Sequence, residues 1–521
     1  MEFNNPSEIV KDLAFGDSAS AKIIVGVDKL TEAVKSTLGA SGKCVIYEDA
    51  LGKPVVTKDG VTVADSVVLM DPVENIGATL IKEAAQKTVK EAGDGTTTST
   101  VLARSILKNF EKIPSGDSLR NVKKDMELTL TKVLRYLSSS SKPVAGSTLN
   151  DVAIISANND KELGDIIADA YTRVGQDGVV LMEESETEQT FVDIVDGVQF
   201  DSGLKSQHFA TDDDKSKAEL ENPYVLIVAN EIPNIRKIQG VLEFVIKSGR
   251  SLLIVASVEQ KAQGALMMNK VKGNIKVNVV DVPGFGATKM DTLEDLATIT
   301  GAKIINDELG DDLDMIDPSV LGEAMRSLTD SNNTVITVEK MPEEAEERVE
   351  LVRKKIKEEK NGFIKKKLEQ RLAMLSGAVG IIKVGANSKV ELKEKKDRVE
   401  DAIYAVKAAL KEGIVPGGGV ALKDAANNIS PNGWGGKQLL DAIQAPYRTI
   451  LDNAGIEYIN VEKRGRGIDV TTGKEVGMIR AGVVDPLLVT KTALINAASV
   501  AMTIVSAGCV ISNKRIDASS K

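Results

Sequence analysis

The run Gly93-Asp94-Gly95-Thr96-Thr97-Thr98 combines the residue types that a phosphate site needs. Glycines let a backbone approach phosphate closely, and hydroxyls and free amides at a helix start donate to its oxygens. The helix macrodipole adds about 0.3–1 kcal/mol. An aspartate in such a loop suits Mg²⁺, which prefers oxygen ligands and keeps several waters. The same residues also read as a helix start, with Asp94 as N-cap. Taken alone, the run supports both readings equally.

Three other segments carry comparable chemistry. In Val56-Thr57-Lys58-Asp59-Gly60-Val61-Thr62-Val63, Lys58 has the reach for a phosphate and Asp59 the acceptors to orient water or metal. The alternative is a strand-turn-strand with Asp59-Gly60 at the turn. Gly417-Gly418-Gly419 allows close approach of a base or ribose, or caps a helix ending near Glu412. Asp485-Pro486 is a ribose or base contact, or a plain turn before a helix. Gly39-Ala40-Ser41-Gly42-Lys43-Cys44 is not a Walker A loop: it lacks the four-residue spacer, and Cys44 stands where Ser or Thr would bind Mg²⁺.

The elements that position these segments belong to a long, ordinary soluble chain. Its 521 residues exceed one hydrophobic core, and two to four domains follow from roughly 150 residues per domain. Apolar residues at 42% and charged residues at 27% argue against disorder. Aromatics at 3% and a net charge of −10 argue against a nucleic-acid surface. Cys44 and Cys509 are the only cysteines and His208 the only histidine, which excludes a zinc ribbon, a disulfide framework and a His-rich metal centre. No basic-then-apolar leader opens the sequence, and no run approaches the ~18 uninterrupted apolar residues of a membrane span. The reading is of a soluble cytoplasmic protein that binds neither membrane nor nucleic acid.

Periodicity predicts a mostly helical segment from about 20 to 140, interrupted by a hairpin through Cys44–Tyr47 and Val55–Thr57. The middle differs. Tyr224–Ala229, Leu252–Ala256, Ile275–Val282 and Ala302–Ile305 are apolar runs alternating with helical patterns, which predicts a separate domain with a parallel sheet. Residues 341 to 376 read as a charged helical hairpin broken at Asn361-Gly362, its lysines and glutamates forming a solvated face. After Val379–Val384 the pattern is helical to the end.

Several motifs occur in one order: Thr37-Leu38-Gly39, Val56–Val61, Ala92–Thr98, Ile155-Ser156-Ala157-Asn158, Val282-Pro283-Gly284-Phe285-Gly286, Lys383-Val384-Gly385-Ala386, Arg398-Val399-Glu400-Asp401-Ala402 and Gly417–Leu422. That order, from about residue 5 to 512, resembles a group I chaperonin of the GroEL type. The resemblance implies a multidomain α+β chaperonin fold. A mainly α-helical equatorial ATPase domain takes 1–139 and 412–521, a small α/β intermediate hinge domain 140–195 and 380–411, and an α/β apical domain with a parallel-containing sheet 196–379.

The resemblance also implies roles. Asp94 ligates Mg²⁺, and Gly95, Thr96, Thr97 and Thr98 wrap the phosphates of ATP. Thr37, Leu38, Gly39, Ala40 and Lys58 line the site, with the carbonyls of Thr37 and Lys58 holding K⁺. Gly418, Asp469, Val470, Thr471 and Asp485 hold ribose and adenine. Asp59 and Asp401 position the attacking water, Asp401 arriving when its domain closes. Leu204, His208, Phe209, Leu242, Leu266, Met267 and Met268, with Gln239 and Gln263, form the apical face for clients. The implied partners are further copies of the chain in heptameric rings, single or double, unfolded client proteins and a co-chaperonin. The implied function is ATP-driven folding assistance; the alternative is an ATP-binding holdase or scaffold with little turnover.

The chain departs from the family pattern at four places. Ala40 replaces a proline and Asp469 an asparagine; His208 replaces an aromatic and Gln239 and Gln263 replace leucines; the Gly-Gly-Met-rich tail is absent.

Overall fold

The computed structural model describes residues 11–49, 51–111, 113–114, 117–144, 146–175, 178–185, 187–211, 217–283, 287–359, 364, 368, 371–372, 375, 378–459 and 461–513. The motif residues Gly284, Phe285 and Gly286, the hairpin break at Asn361-Gly362 and the residues from Lys514 on lie outside them. The chain divides into two compact units. One comprises residues 1–168, 185–190 and 384–521; the other comprises 169–184 and 191–383.

The first unit is built from helices. Gly16–Lys35, Pro72–Ala92, Thr96–Asn109, Leu119–Ser140, Gly433–Ala442 and Leu487–Val505 share one aliphatic core that includes Leu30, Ile81, Leu102, Ile106, Leu137 and Leu494. Small residues set the spacing. A Cβ on Gly26 would stand 1.9 Å from the Glu74 carbonyl oxygen, and one on Gly77 would stand 2.4 Å from that of Ile23, so the first two of these helices approach through paired glycines. Asp71 caps Pro72–Ala92 by accepting from the amides of Val73 and Glu74, and Pro72 suits the first turn because its missing N–H has no partner there. Leu487–Val505 is long and apolar enough to cross a membrane, but Ala493, Leu494, Ala497 and Ala501 are fully buried in the core. The strand Lys11–Phe15 pairs antiparallel with Cys509–Asn513, which fastens the two described ends of the chain together.

The C-terminal part of this unit is less uniformly helical than its pattern predicts. Short strands Ile414–Pro416, Arg466–Asp469, Lys474–Gly477, Val484–Pro486 and Cys509–Asn513 interrupt it. Each is too short to show an alternation of its own.

The second unit holds two sheets. In one, Ile304–Ile305, Tyr224–Ile232, Leu252–Val258 and Val277–Val280 lie side by side in parallel, with Leu226 opposite Ile254 and Ile254 opposite Val279. Helices Gln239–Ser248, Gln260–Val271 and Ala287–Thr300 connect them, as the alternating pattern predicts. The other sheet is six-stranded, with Phe191–Phe200 paired antiparallel to both Thr334–Val338 and Ala378–Val384. Glu343–Glu358 is the first arm of the expected charged hairpin. Its Val352 is buried, Val349 and Ile356 are half-buried, and Ile364, placed in the second apolar stripe, is exposed.

Candidate functional site

A cavity of about 540 Å³ lies within the first unit. Every residue expected at the nucleotide lines it: Thr37, Leu38, Gly39, Ala40, Lys58, Asp59, Asp94, Gly95, Thr96, Thr97, Thr98, Asp401, Gly418, Asp469, Val470, Thr471 and Asp485. The chain reaches it from nine separate stretches, so it is a product of folding rather than of one motif.

The phosphate-type wall comes from two adjoining helix starts. Gly93 ends the Pro72–Ala92 helix at φ 80°, and Gly95 opens Thr96–Asn109 at φ 100°. Both lie in the left-handed region where a side chain is strained. The Asp94 carboxylate accepts from the Gly95 amide. Beside it, Asp59 caps the helix Gly60–Ser66, accepting from the amides of Val61 at 3.1 Å and Thr62 at 2.8 Å and from the Thr62 hydroxyl at 2.6 Å. The segment is therefore strand, cap and helix, and not the strand-turn-strand alternative. Gly60 is packed so closely that a Cβ would stand 2.3 Å from the Thr97 hydroxyl, and the hydroxyls of Thr97 and Thr37 lie 3.5 Å apart. Phosphate-wall residues from three chain segments thus meet at Thr97.

Asp401 stands on the Lys389–Glu412 helix, and Arg398 one turn earlier binds Asp160 at 3.0 Å and Glu394 at 2.7 Å. Asp401 lines the cavity in this conformation. Burial raises its carboxyl well above the ordinary range, and the neighbouring charges of Asp94 and Asp59 add to this. Burial also raises Asp94, against the hydrogen bond from Gly95. Carboxylates so arranged repel one another and favour a cation among them. Among the described residues no three His, Cys, Asp or Glu side chains form a complete metal cage. Mg²⁺ typically takes one or two carboxylates and completes its shell with water and phosphate.

Asp485 lies on Val484–Pro486, in register with Val415 of the paired strand Ile414–Pro416. Burial, with some help from Asp94, pushes its carboxyl up to about 7, although the amides of Gly419 and Gly418 hold it down. The three glycines form the turn into Val420–Asn428 rather than a cap on the helix ending at Glu412, where Gly413 serves. Asp469 ends a hairpin strand. Its carboxylate accepts from the Thr471 amide at 3.0 Å, the Thr471 hydroxyl at 2.6 Å and the Thr472 hydroxyl at 2.9 Å. Burial opposes ionisation, but these donors outweigh it and lower the Asp469 pKa. The extra charge noted in the sequence is thus engaged by its own turn.

The TCP-1/cpn60 chaperonin family matches residues 30–515. The chain belongs to that family. It is similar to crystal structures of the chaperonin gp146 from the bacteriophage EL 2 (Pseudomonas aeruginosa), determined in the presence of ATP-BeFx. Crystal form II matches with a TM-score of 0.73 and 22% identity over 96% of this chain and 99% of that one. Crystal form I matches with a TM-score of 0.65 and 21% identity over the same shares. Likeness at this identity shows the chaperonin fold, and it fits a diverged member of the GroEL type.

Several cavity residues of this chaperonin had no assigned role in the sequence: Asp151, Ile154, Asn158, Asp397, Arg398, Tyr447, Ile450 and Met478. Asn158 and Arg398 sat within motifs, and Asn158 adopts a left-handed φ of 59°. Asp151 had no signal at all; it is one helical residue among many until folding sets it beside Gly482.

The residues expected at a client face lie in the second unit. Phe209 is 0%, Leu242 7% and Leu266 1% exposed, and all three belong to the core under the parallel sheet. They are the inward positions of their elements in this structure. Leu204 and Met267 are half-buried against that core, whereas His208, Gln239 and Met268 are exposed. Phe244, Ile246 and Val271, which no motif marked, are exposed with them.

Proposed function

We propose that this chaperonin binds ATP with Mg²⁺ in the cavity of its first unit and hydrolyses it to drive cycles of client capture and release. The observation that carries this reading is the meeting of Asp59, Asp94 and Asp401 in one cavity beside two glycine-opened helix starts. Phosphoryl transfer needs positioning and charge neutralisation more than covalent help, and this arrangement supplies both. The amides and hydroxyls of Gly95 to Thr98 bind phosphate oxygens. Asp94 holds Mg²⁺, which supplies positive charge against the phosphates and the carboxylates. The carbonyls of Thr37 and Lys58 hold K⁺; both residues line the cavity.

Asp401 acts as the base that orients the attacking water, with Asp59 beside it. A carboxylate within reach of the attacking water can take up its proton as the bond to phosphorus forms. Asp59 is held by three hydrogen bonds, so its role is orientation from a fixed position. Gly418, Asp485 and the Asp469–Thr471 turn receive ribose and adenine.

The working form is a homo-oligomeric ring, heptameric, that takes unfolded protein clients on its apical segment (196–379) and operates with a co-chaperonin. The ATPase segments are 1–139 and 412–521, and the hinge segments 140–195 and 380–411. Met268, Phe244 and Val271 are among the exposed apolar groups that a client could meet in this conformation.

Phosphate release from the purified chain, with and without Mg²⁺ and K⁺, tests the reading. Release that needs both ions supports it. Tight ATP binding without release above background supports the holdase alternative.

A further inference from the structure

Lys423 and Asp424 stand side by side in the Val420–Asn428 helix, and both are buried, Lys423 with 0% exposure. A lysine is almost never fully buried unless its ammonium is paired. Here Nζ of Lys423 donates to the carbonyl of Val461 at 2.7 Å and of Arg466 at 2.9 Å, and lies 3.4 Å from the Asp424 carboxylate. An ammonium has three donors, and three acceptors surround it. The Asp424 carboxylate in turn accepts from the Gly465 amide at 2.6 Å. The ammonium also faces the ring of Tyr447, 5.4 Å from its centroid, and the Tyr447 hydroxyl donates to the Ile459 carbonyl at 3.2 Å.

All of these bonds end on one stretch of chain, from Ile459 to Arg466. Among the described residues that stretch is neither helix nor strand before Arg466, so most of its backbone groups lie outside any ladder. It leads directly into the strand Arg466–Asp469, whose far end carries the turn that lines the cavity. The strand's partner is Lys474–Gly477 alone. A two-stranded hairpin is marginal by itself, so its place must be set from outside. Neither the Lys423 nor the Asp424 side chain lines the cavity.

We propose that Lys423 and Asp424 are positioning residues for the nucleotide: the buried pair fastens the segment before the hairpin and so sets where Asp469, Val470 and Thr471 stand against the base and ribose. This rests on the reading that the cavity binds ATP. The pair acts on nucleotide affinity and not on the hydrolytic step, because Asp59, Asp94 and Asp401 reside on other elements.

The test uses the full chain in its assembled form and two variants, K423M and K423M/D424N. The single variant leaves Asp424 buried without its cation and is the one at risk of not folding. The double variant removes both charges at nearly constant shape, a change that buried pairs often tolerate. Hydrogen exchange across residues 466–477 is read with and without Mg–ATP, and steady-state phosphate release is measured on the same preparations. In the double variant, exchange across 466–477 rises roughly tenfold and the KM for ATP rises roughly tenfold, while kcat stays within about twofold. Unchanged exchange overturns the tether. Faster exchange with unchanged KM means that the pair only stabilises the fold, and overturns the positioning role. A parent chain that neither binds nor hydrolyses ATP overturns the ATP reading, and with it the role at a nucleotide, while the exchange comparison still decides whether the tether exists.

Discussion

Gly93 and Tyr404 are in direct contact across two helices. A Cβ on Gly93 would stand 2.4 Å from the Cβ of Tyr404, a separation that real side chains do not tolerate. Tyr404 lies one turn after Asp401 on the same helix, and Gly93 directly precedes Asp94. The contact therefore sets the distance between the base and the metal ligand of the proposed reaction.

Substituting Gly93→Ala should disturb that distance in two ways. It strains a left-handed residue by roughly 1–2 kcal/mol, and it forces the Asp401 helix outward. Phosphate release should fall by about 10²-fold, the scale of an ångström of misplacement. Turnover within about twofold of the parent would show that the spacing is not critical.

Asp401→Ala should retain ATP binding and lose hydrolysis by roughly 10²–10⁴-fold, the contribution of a general base. Equilibrium binding of ATP and single-turnover phosphate release on one preparation separate the two effects. Parental turnover in this variant would move the base to another residue.

Asp485 makes stability depend on pH. Its folded pKa is raised to about 7, above the ordinary ~3.9 of an unfolded chain. The native state therefore holds this proton more tightly. The associated stability is fully present below about pH 4 and is lost as pH rises through about 7. In nucleotide-free protein, Asp485→Asn should remove this component and raise stability above pH 7 by an amount on the order of a few kcal/mol. Thermal unfolding of parent and variant from pH 4.5 to 8.5 reads it; parallel curves would contradict the assignment.

Asp469→Asn restores the amide that the family pattern carries. Because the carboxylate is already engaged by Thr471 and Thr472, ATP affinity should change by less than about threefold, under the worth of one net hydrogen bond. A gain of tenfold or more, measured by titration calorimetry, would mean that the charge reaches the nucleotide after all.

Leu266 and Met268 should separate on substitution although they are two residues apart. Leu266→Ala empties a core position and should cost about 2–5 kcal/mol of stability. Met268→Ala should leave stability nearly unchanged, within about 0.5 kcal/mol, and weaken binding of an unfolded client. Equal losses of stability would mean that Met268 is packed as tightly as its neighbour.

Much of this chaperonin was legible in its residues. Leu102, Ile106 and Phe110 at four-residue spacing foretold a helix with a buried face, and the Tyr224–Ala229 and Leu252–Ala256 runs foretold parallel strands, because periodicity and run length are local properties. Asp94 between two glycines announced a backbone that leaves a helix and enters another. The motif order foretold the family. Leu242 and Leu266 were expected at a client face from the family resemblance and are buried in this structure, whereas Val271, which no motif marked, is exposed.

By itself, then, the sequence determined which backbone conformations were open to Gly93 and Gly95, which segments were helical, and which side chains had oxygen to offer a metal. Only the tertiary structure decided that Asp59, Asp94, Asp401 and Asp485 share one cavity, that Asp469 is engaged by its own turn, and that Lys423 closes on carbonyls about forty residues away. Those outcomes depend on distance and on exclusion of water, and neither is a property of residue type or of spacing along the chain.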